Sequence, residues 1–270
     1  MLRRSFLLRS SNVKGLYFPI NHRIVDQRVD SGVAEEIDVQ GRYRRHLRTG
    51  FTTGATRQTE APAWSEKVRP THFLSLPLPL KNVLTPRVRE MHNAFLFANQ
   101  SVEPLLIPVQ RLHITLGVFS LPETQLEERL AQIAACVQAA TREACRTPLQ
   151  LRFRGLGTFG HGRVLFVKCA SEGHYTTLDH FVRLVRQRVG LGLGVDMKGN
   201  PHDSYVPHVT VAKVRPSQKN ILGPRLPLSV WADFQHHDFG DVTFNEVQVC
   251  SMKGKGENGY YKVISTASIQ

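Results

Sequence analysis

The sequence predicts an α+β fold made of two similar halves that face each other across a cleft. Two observations predict it. Alternating β-branched runs and amphipathic helices follow one another in matching order in the two halves of the region from Thr71 onward. The same tripeptide also stands in two of those runs, as Leu112-His113-Ile114-Thr115-Leu116 and Pro207-His208-Val209-Thr210-Val211. Side chains alternate across a strand, so His113 and Thr115 share one face while Ile114 and Leu116 take the other. The same parity joins His208 to Thr210 and Val209 to Val211. Each half thus offers one strand with an imidazole and a hydroxyl over an apolar underside, and two facing halves would set these across a shared cleft.

Taken in order, Thr71–Pro77 reads as a short strand stopped by prolines. Thr85-Pro86 opens a helix with Val88, Met91, Phe95 and Ala98 on one face. The first His-x-Thr strand occupies residues 111–119. Ser120 and Glu123 around Pro122 suggest a capping box, after which Leu126, Leu130, Ile133 and Val137 recur at helical spacing. Ala134 and Cys136 fall in its core by the same pattern. Leu149–Arg154 alternates as a strand and leads into Gly155-Leu-Gly157-Thr-Phe-Gly160. That is the spacing of a dinucleotide-binding loop, but no helix opens there, because Arg163–Lys168 reads as another strand. The glycines are expected to shape a hairpin. A helix over Tyr175–Val189 follows, with Arg183, Arg186 and Arg188 on its outer face, as solvated charges or an RNA contact. After the second His-x-Thr strand come a short helix near Val230-Trp231 and two closing strands, Val242–Met252 and Tyr260–Thr266.

The chain has 270 residues, 41% of them hydrophobic and 21% charged, which is the balance of a globular protein able to bury a sizeable core. Its formal charge is +13. Residues 1–69 hold 13 basic and 7 acidic side chains, so the remainder is only moderately basic. Such a field favours anionic partners, nucleic acid or nucleotides among them. The opening segment, with Arg3, Arg4, Arg9 and several serines but no acid before Asp26, has the composition of an organellar presequence. The expected division is therefore 1–69, presequence and basic, largely disordered extension, and 70–270, the folded domain. Four cysteines without a C-x-x-C pair read as buried free thiols, and zinc is not expected. No run approaches the ~18–20 apolar residues of a membrane span.

Two histidines suit phosphodiester cleavage near neutrality. With an ordinary pKa of about 6.5, one ring can be neutral and act as base while the other is protonated and acts as acid. Thr115 and Thr210 can donate hydrogen bonds to phosphate oxygens as charge builds there. The competing chemistry is a metal held by the two histidines, for which His202 or Asp203 are the nearest further ligands.

His113-Ile-Thr115-Leu and His208-Val-Thr210-Val resemble the paired H-x-[ST]-hydrophobic motifs of the 2H phosphoesterases, the 2′,5′-RNA-ligase-like superfamily. Phe73-Leu-Ser-Leu-Pro77, Gly155-Leu-Gly-Thr-Phe-Gly160, Phe166-Val-Lys168, Phe239-Gly240, Val249-Cys-Ser-Met252 and Gly259-Tyr-Tyr261 are similar to the central domain of an A-kinase anchoring protein branch. The resemblance covers about residues 70–270. It implies a two-lobed, pseudo-symmetric α+β fold with antiparallel sheets lining a central cleft and helices outside. It implies metal-independent phosphodiester cleavage or nucleotide binding, with no cofactor, on substrates such as 2′,3′-cyclic phosphates, 2′,5′-linked oligonucleotides or RNA 3′ ends. Carried over, His113 and His208 are the acid/base pair, and Thr115 and Thr210 are the phosphate ligands. The sequence stops soon after the last strand, so no kinase-anchoring helix is expected.

Other residues enter with less support from pattern. Tyr205 and Phe159 could stack on a base, and Arg111 has the parity of His113 and could reach the cleft. Lys213 has the opposite parity from His208 and is left out. His161 and the pair His236-His237 read as surface. The expected partner is RNA or a nucleotide, and the expected location is mitochondrial. The alternatives are an RNA- or nucleotide-binding subunit of a mitochondrial ribonucleoprotein with little or no catalysis, and a cytoplasmic or nuclear nucleotide sensor.

Overall fold

Among the described residues, nine strands form one antiparallel sheet, and the repeated tripeptides lie on its two central strands. The computed structural model describes residues 69–198 and 205–269, all within one compact unit, Pro62–Gln270. The expected presequence and extension, and the ligand candidates His202 and Asp203, lie outside the described residues.

The strands are β1 (His72–Pro77), β2 (His113–Phe119), β3 (Leu149–Phe159), β4 (Val164–Cys169), β5 (Met197–Lys198), β6 (His208–Lys213), β7 (Asp238–Phe244), β8 (Glu246–Ser251) and β9 (Lys262–Ser268). Their order is β7-β3-β4-β6-β2-β1-β8-β9, with β5 added beside β2. The two lobes of the predicted fold are the two halves of this sheet: β7-β3-β4-β6 and β2-β1-β8-β9. They share one recorded register pair, Ile114 with Val209.

The main helices are α1 (Leu84–Ala98), α2 (Leu126–Ala144) and α3 (Tyr175–Val185), followed by the short α4 (Lys219–Leu222) and α5 (Leu228–Trp231). α1 packs on β7, α2 on β8, β9 and α3, and α3 on β3. The helices bury the stripes their periodicity predicts. Val88, Met91 and Phe95 of α1, Leu130, Ile133 and Val137 of α2, and Leu178, Phe181 and Val182 of α3 are all buried. They join Ile114, Leu116, Val209 and Val211 in a single core. The apolar underside of each motif strand is therefore held by this core, which leaves the His-Thr face open.

Several expectations are corrected. Ala98 is exposed, Ala134 and Cys136 are half-buried, and only Cys145 and Cys250 of the four free thiols are buried. No capping box forms at Ser120. Its hydroxyl donates to the Arg69 carbonyl, Glu123 pairs with Lys253, and α2 starts after Gln125 in a left-handed conformation. The glycine run belongs mostly to β3 rather than to a loop, and the turn to β4 comes at Gly160–Gly162. The expected strand Val242–Met252 is two strands. They break at Asn245, whose carbonyl accepts the Ile269 amide, and β7 and β8 then pair in opposite halves. One residue spans at most ~3.6 Å, so the two halves must converge at this end of the sheet.

Beyond α3 the chain continues as a π-helical turn over Arg186–Gly192. Arg186, at its start, continues the Leu178–Val182 row inward and is buried. The basic stripe expected on that helix is thereby dissolved: Arg183 pairs with Asp179, and Arg188 with Glu143.

Candidate active site

β2 and β6 run antiparallel with Ile114 opposite Val209. The register about that pair sets His113 across from Thr210 and Thr115 across from His208. Each imidazole thus neighbours its own strand's threonine and the other strand's threonine. All four side chains are half-buried on one face, while Ile114 and Val209 are fully buried on the other.

The two histidines are held in the same way. His113 Nδ1 lies 2.7 Å from the Arg111 carbonyl, and His208 Nδ1 lies 2.8 Å from the Val206 carbonyl. A carbonyl only accepts, so both rings carry hydrogen on Nδ1 and present Nε2 to the open face. His113 Nε2 is 3.1 Å from Thr115 Oγ1, whose hydroxyl donates to it. His208 Nε2 has no protein hydrogen bond among the described residues.

Aromatic rings wall both imidazoles. Phe73 and Tyr261 lie 5.0 and 5.4 Å from His113, ring centre to ring centre, with Tyr260 edge-on at 6.4 Å. Phe159 and Phe166 lie 4.9 and 5.0 Å from His208 and stack on each other at 4.2 Å. This surrounding lowers both pKa values. Burial brings His113 down to about 4, opposed by its bond to the Arg111 carbonyl and helped by the nearby His208 charge. Burial also lowers His208, again opposed by its carbonyl bond.

Gly157 makes the aromatic wall possible. A Cβ there would fall 2.6 Å from Phe166 Cζ and 3.1 Å from Lys168 Cε. Phe166 and Lys168 are the cross-strand partners of Thr210 and His208, so they share the site's face. Lys168 is exposed and has no ion pair among the described residues. Sequence reasoning missed Lys168, Phe166, Phe73, Tyr260 and Tyr261, because their place depends on which strands pair.

The remaining candidates divide. Phe159 keeps 37% of its surface exposed beside His208. Arg111 is at the site's rim, its Nε donating to the Gly259 carbonyl and its guanidinium 5.5 Å above the Tyr261 ring. Tyr205 is corrected: it is buried and cannot offer its ring to a base. Its ring lies under the Arg186 guanidinium at 5.3 Å, and its hydroxyl donates to the Thr115 carbonyl at 2.9 Å. Lys213 is exposed, as are His161 and His236, whereas His237 is half-buried between Phe234 and Phe239. Among the described residues, no three His, Cys, Asp or Glu side chains converge as metal ligands, and no helix is long and apolar enough to cross a membrane.

The nine-stranded antiparallel α+β arrangement is the fold of a 2H phosphoesterase. The profile described as "AKAP7 2'5' RNA ligase-like domain" matches residues 70–269, and the chain belongs to that family. Membership supports a phosphodiesterase-type activity. Among solved structures, Escherichia coli LigT in its apo form is similar at 12% identity and a TM-score of 0.48, over 74% of this chain and 96% of that one. TT0787 of Thermus thermophilus is similar at 21% identity and 0.45, over 74% and 97%. The MHV ns2 PDE domain is similar at 15% identity and 0.38, over 73% and 100%. No curated protein matches the chain.

Proposed function

We propose that this chain hydrolyses phosphodiester bonds in RNA or nucleotides without needing a metal ion, with His113 as base, His208 as acid, and Thr115 and Thr210 holding the phosphate. The observation that carries this reading is the matched pair of imidazoles, each locked through Nδ1 and each presenting Nε2 beside a threonine hydroxyl. Burial brings His113 down to about 4, so its Nε2 is neutral near pH 7 and takes a proton from water or a ribose hydroxyl once the Thr115 hydroxyl that donates to it turns to the phosphate. His208, whose Nε2 has no protein hydrogen bond among the described residues, supplies the proton to the departing oxygen. The threonine hydroxyls donate to the non-bridging oxygens as negative charge builds on them. Both proton transfers are supplied by imidazole, which leaves no step that requires a Lewis acid. Lys168 and Arg111 add positive charge at the rim, and Phe159 offers an exposed ring on which a base can stack.

The test is turnover of 2′,3′-cyclic nucleotides, 2′,5′-oligoadenylate and short RNAs by the full chain in EDTA. Cleavage of at least one, lost in His113→Asn and in His208→Asn, supports the reading. Tight binding with no turnover of any would sink the enzymatic claim and leave a nucleotide-binding protein. The mitochondrial address rests on residues outside those described, and a reporter fused to residues 1–30 tests it directly.

A further inference from the structure

The seam between the two halves of the sheet carries both motifs, and β2 and β6 share one recorded register pair there, Ile114 with Val209. A second tie crosses the seam beside the site. Tyr205, three residues before His208, donates its hydroxyl to the Thr115 carbonyl at 2.9 Å. Thr115 stands across from His208 in that register, so this bond spans the pair that must stay aligned. Burial raises the phenol well above its ordinary pKa, so the hydroxyl keeps its proton and remains a donor.

The same residue holds the chain that orients His208. Each site imidazole is locked by the carbonyl two residues before it, Arg111 for His113 and Val206 for His208. The two carbonyls are steadied by different means. Before His113 the chain is a short turn, in which the Arg111 amide donates to the Pro108 carbonyl and the Leu112 amide to Val109, while the Arg111 side chain is tied to Gly259. Before His208 the holding residue is Tyr205, which shares a peptide bond with Val206. Its ring is buried with the Arg186 guanidinium 5.3 Å from its centre, and its carbonyl accepts the Tyr175 hydroxyl at 3.5 Å. The matching position three residues before His113 is Gln110, which is exposed. The anchor thus belongs to one half of the sheet and reaches into the other.

We infer that Tyr205 is a positioning residue: its hydroxyl fixes the Thr115 strand against the segment whose carbonyl sets the His208 tautomer, and so keeps His208 Nε2 facing the open site beside Thr115. An imidazolium that gives up its Nε2 proton is left with hydrogen on Nδ1, the form that the Val206 carbonyl stabilises. A carbonyl that lifts away loses that bond, and the neutral ring then places its hydrogen on either nitrogen. The consequence for turnover rests on the phosphodiesterase reading, whereas the hold on the His208 ring does not.

Nitrogen NMR of the imidazoles in the full chain at about pH 8, where both site rings are neutral, reads the tautomers without depending on turnover. In the wild type both rings should carry hydrogen on Nδ1. In Tyr205→Phe the His208 resonances should move towards the Nε2-protonated form, while those of His113 stay. On any diester the wild type cleaves, the same variant should lose about tenfold or more in kcat with KM changed by less than about twofold. Ile133→Val, which loosens the core under α2 away from the site, controls for lost stability and should move neither readout. Tyr175→Phe, which removes the donor to the Tyr205 carbonyl, should shift His208 in the same direction by less, and serves if Tyr205→Phe does not fold. A His208 tautomer unchanged in every folded variant overturns the inference. So does a shift equalled by Ile133→Val, or an unchanged kcat in Tyr205→Phe. The expected shift in a protein that cleaves nothing would overturn the enzymatic reading alone.

Discussion

Burial depresses both site imidazoles, His113 to about 4, and so holds both below the ordinary 6.5. Turnover needs one imidazole neutral and the other protonated, and the acid, His208, is lowered below 6.5. Activity (kcat/KM) should therefore peak below pH 6.5 and fall as pH rises past the His208 pKa, which a pH–rate profile checks. His113→Asn and His208→Asn should each cost about 10²-fold or more in kcat while the protein stays folded by circular dichroism. Tyr205 acts differently. Its buried hydroxyl holds the Thr115 carbonyl, so Tyr205→Phe should destabilise the fold by about 1 kcal/mol in urea unfolding. Were Tyr205 a stacking residue, the same change would alter base preference instead, and no change in base preference is expected. The pattern around position 208 marked Tyr205 as close to the site but could not tell a ring facing the cleft from one packed beneath Arg186.

At the level of elements, two contacts explain how the site is held. Gly157 in β3 leaves room for Phe166, and Gly157→Ala would push a methyl into that ring. A loss of about 1–3 kcal/mol, the usual cost of overpacking, should accompany weakened nucleotide binding, because Phe166 supports Phe159. Helix α1 is tied to β6 by His92, whose buried Nε2 donates to the Val211 carbonyl at 3.0 Å. Burial lowers His92 to about 4 against 6.5 for the free side chain, with the carbonyl bond opposing. The unfolded chain therefore binds protons more readily between those values. Its contribution is fully present above about pH 6.5 and is lost as pH falls towards 4. The melting temperature should drop between pH 7 and pH 5, and the drop should shrink in His92→Gln. The helices and most strands were legible because their apolar periodicity is local. The break at Asn245 left only a faint trace: the apolar positions slip in parity there, from Val242 and Phe244 to Val247 and Val249, with no glycine or proline to signal that the chain changes halves.

Across the whole molecule the two halves are joined narrowly through the sheet yet share one core. Unfolding of this unit should thus be a single transition, with tryptophan fluorescence and far-UV circular dichroism coincident. Two separated transitions would mean that the halves fold independently. The sequence by itself determined the α+β class, the order of the main elements and the four His and Thr positions, because strand parity and helical period are properties of consecutive residues. It also set those four side chains on one face of each strand. Only the tertiary structure decided which strands are neighbours. From that came the crossing of His113 with Thr210 and of Thr115 with His208, the arrival of Lys168, Phe166 and Tyr260 beside them, and the removal of Tyr205 into the core. These depend on pairings between residues tens to more than a hundred positions apart, which packing of the common core selects and no local pattern encodes.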